Sequence, residues 1–450
     1  MSPVPLPHDL SRRAVLRGAL GVGALAAAGP LLSACGGDGG GDALDPAAKP
    51  ELAGETLKVL VNQPNAGAFE VLRRTFKAET GADIQVTPVP YDKLLATAML
   101  DAQSGAGQYD VIMYWYVGLG SLAEGGVLED LTAYIKANPD IDTGDLLPSI
   151  YDPYTLYQGR RWGLPFDGDT HILFYNTELF EKYGLDAPKT WEDSNAAAEK
   201  ITKDGRGAHY GVIVEGQQVP IILGCTFANR LVGFGGRFLD DSGKPALASD
   251  QGVAALQSLL DVAPYALPTP LQTGFDQALP AFLSGRAAQL EFWTDHSVKA
   301  QDPKQSKVVD RWDVVTLPVG GSNTTHATSL DAGFALGVSK LSKKKEAAAA
   351  FVKFAASRKQ NEAQIAVSTS GSDPVRTSTL GSPVFRKSFG RAADVVAEGL
   401  SGKPLVWPNG PEAPELLQTL VDELALALQG KQQARQTLEK VQSAWEKRLG

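Results

Sequence analysis

Residues 56–61, Thr56-Leu57-Lys58-Val59-Leu60-Val61, follow Gly54 and alternate into an apolar run of strand type. Beyond them Phe69, Leu72 and Phe76 recur at helical spacing across Phe69–Glu79, with Gly81 just past the end as a helix stop. Ile84 and Val86 alternate with polar neighbours as a second strand. Tyr91–Gln103 reads as a helix with Leu94, Leu95, Ala98 and Met99 on one face. Asp110–Trp115 reads as a third strand, followed by a short helix that stops at Gly125-Gly126. Such β-α-β alternation predicts an α/β fold on a largely parallel sheet covered on both faces. Ligands of these sheets lie beyond the carboxyl ends of the strands, so a site is expected in the loops after Val61 and Met113.

The second half continues in the same style. Strands are expected at Ile172–Tyr175, Ala287–Phe292, Val314–Leu317 and Ala332–Val338. Helices are expected at Trp191–Thr202, Gln251–Asp261, Phe275–Leu283, Lys343–Ser357, Glu412–Gln429 and Lys431–Leu449. No period of about 20–50 residues points to a solenoid. At 450 residues the chain is long enough for two or three domains at roughly 150 residues each.

The composition excludes several classes. With 42 basic and 51 acidic side chains the formal charge is −9, which argues against non-specific nucleic-acid binding. Two cysteines and no CxxC pair exclude a disulfide scaffold and a cysteine zinc site. No GxSxG elbow, HExxH helix or P-loop is present, and no motif calls for a cofactor or a metal. The four histidines of the mature region, His171, His209, His296 and His326, are scattered singly.

Residues 1–34 read as an export segment. Twin arginines in Ser11-Arg12-Arg13-Ala14-Val15-Leu16-Arg17 precede an apolar run from Gly18 to Ala34, a pattern similar to a twin-arginine signal, with a general secretory signal as the alternative. The run is too short, and too rich in Gly and Ala, for a permanent span. Leu32-Ser33-Ala34-Cys35 resembles a bacterial lipobox, in which the Cys35 thiol takes the lipid and the chain is cut before it. Residues 35–55 then form a flexible polar tether. Loss of residues 1–34 removes three Arg and one Asp and leaves a formal −11. Cys225, in an apolar run, is expected to be a small core residue. The protein is expected to be extracytoplasmic and lipid-anchored at the outer face of the cell membrane.

The order of motifs resembles the family 1 extracellular solute-binding proteins of ABC importers, the maltose-binding-protein-like group. The resemblance runs over nearly all of residues 55–450. Its first block is Phe76-Lys77-Ala78-Glu79-Thr80-Gly81 through Leu122-Ala123-Glu124-Gly125-Gly126. The most specific is Gly159-Arg160-Arg161-Trp162-Gly163-Leu164-Pro165, with Leu173-Phe174-Tyr175-Asn176 and Pro188-Lys189-Thr190-Trp191-Glu192-Asp193 after it. Two more are Phe282-Leu283-Ser284-Gly285-Arg286-Ala287-Ala288 leading to Trp293, and Trp312 to Pro318 leading to Lys343-Lys344-Lys345-Glu346. Each is weak alone; together, in order, they are specific.

The resemblance implies a two-lobed periplasmic-binding-protein-like fold of type II, with crossings near Pro165–Thr170, Thr316–Val319 and Ser370. Lobe 1 would be 55–165 plus 318–370, and lobe 2 would be 170–315 plus 372–450. It implies a monomer without enzymatic activity. The protein would hold a sugar, oligosaccharide or sugar alcohol between the lobes and deliver it to the transmembrane permease subunits of an ABC importer.

Sugars need aromatic platforms for their C–H faces and planar polar groups for their hydroxyls. Tyr114, Trp115 and Tyr116 end the third strand, and alternation lets only one or two face a cleft. The resemblance puts the stacking ring at Tyr114 with Trp115 beyond it, while a hydrophobic plug is the alternative. Asp167 and Asp169 lie at the first crossing, where exposed hinge charges are the competing reading. Trp293 and Asp295 follow a buried strand, with a core tryptophan as the rival. Trp407 is another stacking candidate. Asn65 and Asp331 are polar groups at loop edges that turn capping would also explain. Arg376 follows Gly371-Ser372-Asp373-Pro374 and could equally pair with an acid.

Two other classes stay open. A secreted glycoside hydrolase would use Asp167 and Asp169, but two acids two residues apart on one loop rarely flank a bond from opposite sides. A binder of a phosphodiester, polyamine or iron would want Arg/Lys or Tyr/His clusters for the anion or the metal. The strand ends carry acids and aromatics instead, which suit a neutral or cationic, hydroxyl-rich ligand.

Overall fold

The computed structural model describes residues 43–330 and 333–450, which form two larger β-sheets and a separate two-stranded one. Residues 1–34, expected to be an export segment, lie outside the described residues, as do Cys35 and Asp331. Strands β1 (Thr56–Asn62), β2 (Asp83–Val89) and β3 (Val111–Trp115) form the core of the first sheet. A hairpin of β4 (Leu156–Tyr157) and β5 (Arg160–Arg161) precedes β6 (Leu164–Asp167). Strands β7 (His171–Asn176), β8 (Gln289–Trp293) and β9 (Trp312–Val315) form the second sheet, and β10 (Phe334–Val338) returns to the first. The strand orders are β2-β1-β3-β10-β6 and β8-β7-β9.

The expectation of a largely parallel sheet needs correction. Only β2-β1-β3 is parallel, with Thr56 opposite Asp83 and Val59 opposite Val111. β10 runs antiparallel to both β3 and β6, and every pair in the second sheet is antiparallel. The cause is connectivity: β10 enters from the other sheet rather than through a helical crossover, so nothing forces it parallel.

Local chemistry explains most elements. The helix Ala66–Thr80 buries Phe69, Leu72 and Phe76 and ends on Gly81 at φ +75°, whose N–H donates to Lys77 O. The Gly159 block is a tight turn: Gln158 and Gly159 both adopt positive φ between β4 and β5, the geometry a two-residue hairpin favours. The Thr190 block is a capping box, with Thr190 and Asp193 satisfying each other's backbone N–H at the start of the helix Trp191–Gly205. Trp191 is buried beneath Arg230, whose guanidinium lies 4.1 Å from the ring centroid and pairs with Glu291 at 2.8 Å. Cys225 is buried, as its apolar run suggests.

The terminal helices Ala413–Leu428 and Ala434–Leu449 pack together through Trp445, which donates its indole N–H to Leu416 O at 2.8 Å. No described helix is long and apolar enough to cross a membrane. The helix Arg358–Ile365 had no sequence signal because its buried face is polar: Gln360, Asn361 and Gln364. At the other end of the described chain, Asp45 N–H donates to Glu346 Oε1 at 3.2 Å and Asn138 Nδ2 donates to Pro46 O at 3.1 Å. These bonds hold residues 45–46 to the half built on the five-stranded sheet.

Two passages connect the two larger sheets, one short and one long. Gly168-Asp169-Thr170 joins β6 to β7, and residues 316–333 join β9 to β10. Residues 370–374 lie against the first passage so closely that a Cβ on Gly168 would come 2.2 Å from Pro374 O.

Candidate functional site

The carboxyl ends of β1, β6 and β8 meet at a cavity of about 420 Å³, open solvent at its mouth included. Asn62, Asn65, Asp167, Asp169, Trp293 and Asp295 line it, joined by Tyr91, Ile221, Ile222, Phe275 and His296. Asn62, Asp167 and Trp293 are the last residues of their strands, so backbone geometry fixes where each side chain begins.

A chain of hydrogen bonds organises one wall. Asn62 Nδ2 donates to Asn65 Oδ1 at 2.9 Å, and Asn65 Nδ2 donates to Asp167 Oδ2 at 2.8 Å and also to Gly371 O. Asp169 Oδ1 accepts from the backbone N–H of Thr294 at 3.2 Å and from its hydroxyl at 2.9 Å. Asp295 Oδ1 contacts His296 Nε2 at 3.2 Å. Trp293 packs against His171 and Phe275, with ring centroids 4.5 and 5.6 Å away.

Four carboxyl groups are buried here. Burial pushes Asp167 up to about 8, although the N–H of Asp373 and the Asn65 amide pull the other way. Burial likewise raises Asp295 to about 6, against the opposing charge of Lys299. Asp169 and Asp373 are driven well above the usual carboxylate range, first by burial and then by neighbouring acids. Burial holds His296 well below the ordinary histidine value, so its contact pairs a neutral imidazole with Asp295. Oxygens of Asp169, Asp295 and Asp373 lie within 4.8 Å of one another, the one grouping among the described residues that could surround a cation.

Five of the residues singled out in the sequence therefore converge: Asn65, Asp167, Asp169, Trp293 and Asp295. Tyr114 and Trp115 edge a second space of about 1130 Å³, which shares Tyr91 and Ile221 with the first. The Tyr114 ring is buried and its hydroxyl donates to Tyr154 O at 3.2 Å, which places it in the core beneath that space. Trp115 is half-buried and meets Trp407 edge-on at 5.9 Å. Trp407 borders neither space; it is buried against Phe238 and donates its indole N–H to Ser329 O at 3.1 Å. Arg376 is away from both, clamping Ala356 O, Ile141 O and Asp142 O and reaching Asp145 at 3.3 Å.

Sequence reasoning missed Asn62, Tyr91, Phe275, Ile221, Ile222 and His296. The apolar ones carry no signal that separates a cleft wall from a core. Asn62 and His296 had a usable one, since they adjoin strand ends already under suspicion.

The model of the bacterial extracellular solute-binding protein family matches residues 48–362. The chain belongs to this family. Members bind solutes and do not transform them, which sets aside the glycoside hydrolase alternative. A solute-binding protein of an ABC transporter from Agrobacterium radiobacter, solved in complex with ribitol, is 27% identical, with a TM-score of 0.79 over 88% of this chain and 100% of that one. A mannitol-binding protein of Pseudomonas aeruginosa is 27% identical over 79% of this chain and 81% of its own length. A probable amino-acid ABC transporter periplasmic-binding protein of Sinorhizobium fredii is 26% identical over 84% of this chain and 85% of its own length. The maltose-bound MalE3 of T. maritima, 23% identical with a TM-score of 0.78 over 87% of this chain and 99% of that one, has the same fold. The architecture is thus the α/β periplasmic-binding-protein fold.

Proposed function

We propose that this protein captures a small sugar or sugar alcohol between its two sheets and hands it to the membrane subunits of an ABC importer. The observation that carries the reading is the cavity itself, where Asp167, Asp169 and Asn65 stand beside Trp293 and Phe275. Planar acceptors and amide donors suit hydroxyls, and rings suit C–H faces. The ribitol complex and the mannitol-binding relative support the same class. An amino acid would bring a carboxylate, and neither Arg nor Lys is among the described residues lining this cavity.

We take the lobes to be 55–165 with 318–370, and 170–315 with 372–450, a division supported by the passage of the chain between sheets at 168–170. The protein is taken to act as a monomer. The lipobox-like Leu32-Ser33-Ala34-Cys35 supports a lipid anchor at Cys35, and Arg12-Arg13 supports export by the twin-arginine route.

Thermal shift and calorimetry across ribitol, xylitol, mannitol, sorbitol, glucose, maltose and a set of amino acids test the ligand class. A cognate polyol or sugar at 100 times its Kd adds about 2.7 kcal/mol of stability. A shift with amino acids and with no carbohydrate overturns the reading. For the anchor, C35S expressed in its own cell type moves the protein from the membrane to the soluble fraction; unchanged membrane retention overturns it.

A further inference from the structure

The cavity wall is crowded with buried carboxyl groups, which in the empty cleft hold protons of their own that an entering cation would displace. Asp169 and Asp295 line it, and Asp373 stands behind them with no solvent exposure. Thr294 and Asp169 stand beside the Asp373 carboxyl, and its two oxygens have no other partner among the described residues. A second observation comes from outside the acidic cluster. Asn62 lines the same cavity at 3% exposure, and its Oδ1 has no hydrogen-bond partner among the described residues. Buried acceptors of this kind are costly unless something supplies protons to them.

Among the described residues no lysine or arginine lines the cavity. Lys299 is the one whose charge bears on Asp295, and its ammonium sits 6.0 Å from the Phe275 centroid, outside the described lining. His296 is neutral, and His171 is turned against the Trp293 ring.

We propose that the cleft selects a hydroxylated solute bearing a protonated amine, whose ammonium group is held at Asp169 and Asp295 with Asp373 behind them and the rings of Phe275 and Trp293 alongside. The proposal rests on reading the cleft as a sugar or polyol site and narrows that class to amino sugars and amino polyols. An ammonium offers three donors and no acceptor, the complement of this wall, whereas a hydroxyl brings one donor with two lone pairs that need donors in turn. Aromatic faces add an attraction for a cation that they do not offer a neutral hydroxyl. An inorganic cation shares the positive charge, but calcium takes six to eight oxygens at about 2.3–2.6 Å. The grouping here is three carboxyl groups, with the rings of Phe275 and Trp293 in the same lining.

Calorimetry at pH 7 on metal-stripped, full-length mature protein compares matched pairs: ribitol with 1-amino-1-deoxyribitol, mannitol with 1-amino-1-deoxymannitol, and glucose with glucosamine. Parallel arms add calcium or magnesium chloride alone. In at least one pair the amine binds tenfold or more tightly than its neutral partner, and D295N and D169N, each checked for folding by its melting curve, bring the two toward equality. If the neutral partner binds as well or better in every pair, the amine proposal fails while the polyol reading stands. If a divalent ion alone stabilises the protein and amines gain nothing, the cluster is a metal site and the proposal fails. If no member of any pair binds, the polyol reading fails and takes this proposal with it.

Discussion

Asp373 donates its backbone N–H to Asp167 Oδ1 at 2.8 Å, joining residues 206 positions apart in sequence. The bond ties the passage through residues 370–374 to the end of β6, and it fixes one cleft acid with main chain rather than with a movable side chain. An acid held this way keeps its position whether or not a ligand is present, which lowers the ordering cost of binding. The price is a set of carboxyl groups crowded away from water.

That crowding predicts the pH dependence of the empty protein. Asp295 and Asp167 have folded values raised to about 6 and about 8, against roughly 3.9 in the unfolded chain. Between these limits the folded state holds more protons than the unfolded one, so stability falls as pH rises. Melting temperature without ligand is expected to drop from pH 5 to pH 9, and D295N should flatten the slope near pH 6. A melting temperature that climbs across this range contradicts the assignment.

Tyr91 lines both cavity spaces, and its hydroxyl lies 3.4 Å from Gln217 Oε1. Y91A is expected to weaken ligand binding about tenfold, or about 1.4 kcal/mol, with a small change in melting temperature because the ring is half-buried. Y91F should cost less than about threefold. Calorimetry on the two variants distinguishes the ring from the hydroxyl.

Arg376 behaves as a structural clamp. Removing its guanidinium in R376M takes a donor from three carbonyls and from Asp145, which keeps only the N–H and hydroxyl of Ser378. The expected loss is about 3–5 kcal/mol in denaturant unfolding. Ligand affinity of the protein that remains folded should be unchanged; a large affinity loss without destabilisation would return Arg376 to the binding site.

Gly333 permits the close approach of Tyr154, since a Cβ there would come 1.7 Å from the Tyr154 hydroxyl oxygen. Tyr154 is stacked on Tyr116 at 4.6 Å and cannot easily retreat. G333A is expected to cost about 3 kcal/mol. Because the Tyr154 hydroxyl donates to Asp169 O at 3.5 Å, binding should weaken as well. Urea melts and a titration on the same sample check both effects.

The elements that were legible in the sequence are those whose physics is local. Alternation revealed β1, the 3.6-residue stripe of Phe69, Leu72 and Phe76 revealed its helix, and Gly81 marked the stop. What stayed hidden depends on partners far along the chain. The direction of β10 is set by the sheet it leaves, and β6 is a four-residue strand with no alternation to read.

The site divides the same way. Acids and a tryptophan at strand ends were readable because burying them needs a reason. Tyr114 and Trp115 show the limit: alternation says that neighbours point apart, but not which one meets the cleft. The Tyr114 and Tyr116 hydroxyls are occupied by Tyr154 O and Leu330 O, contacts that no spacing announces. Phe275, Ile221 and Ile222 look like core residues because chemically they are; only their place at the cavity distinguishes them.

The bonds from Asp45 and Asn138 that hold residues 45–46 have a mechanical meaning. A pull arriving from upstream is borne by the helix at Glu346 and by the five-stranded half, as a doorpost bears its wall. The three-stranded half is joined to that post through short links such as Gly168–Thr170, so under the anchor proposed at Cys35 it is the half left free to turn.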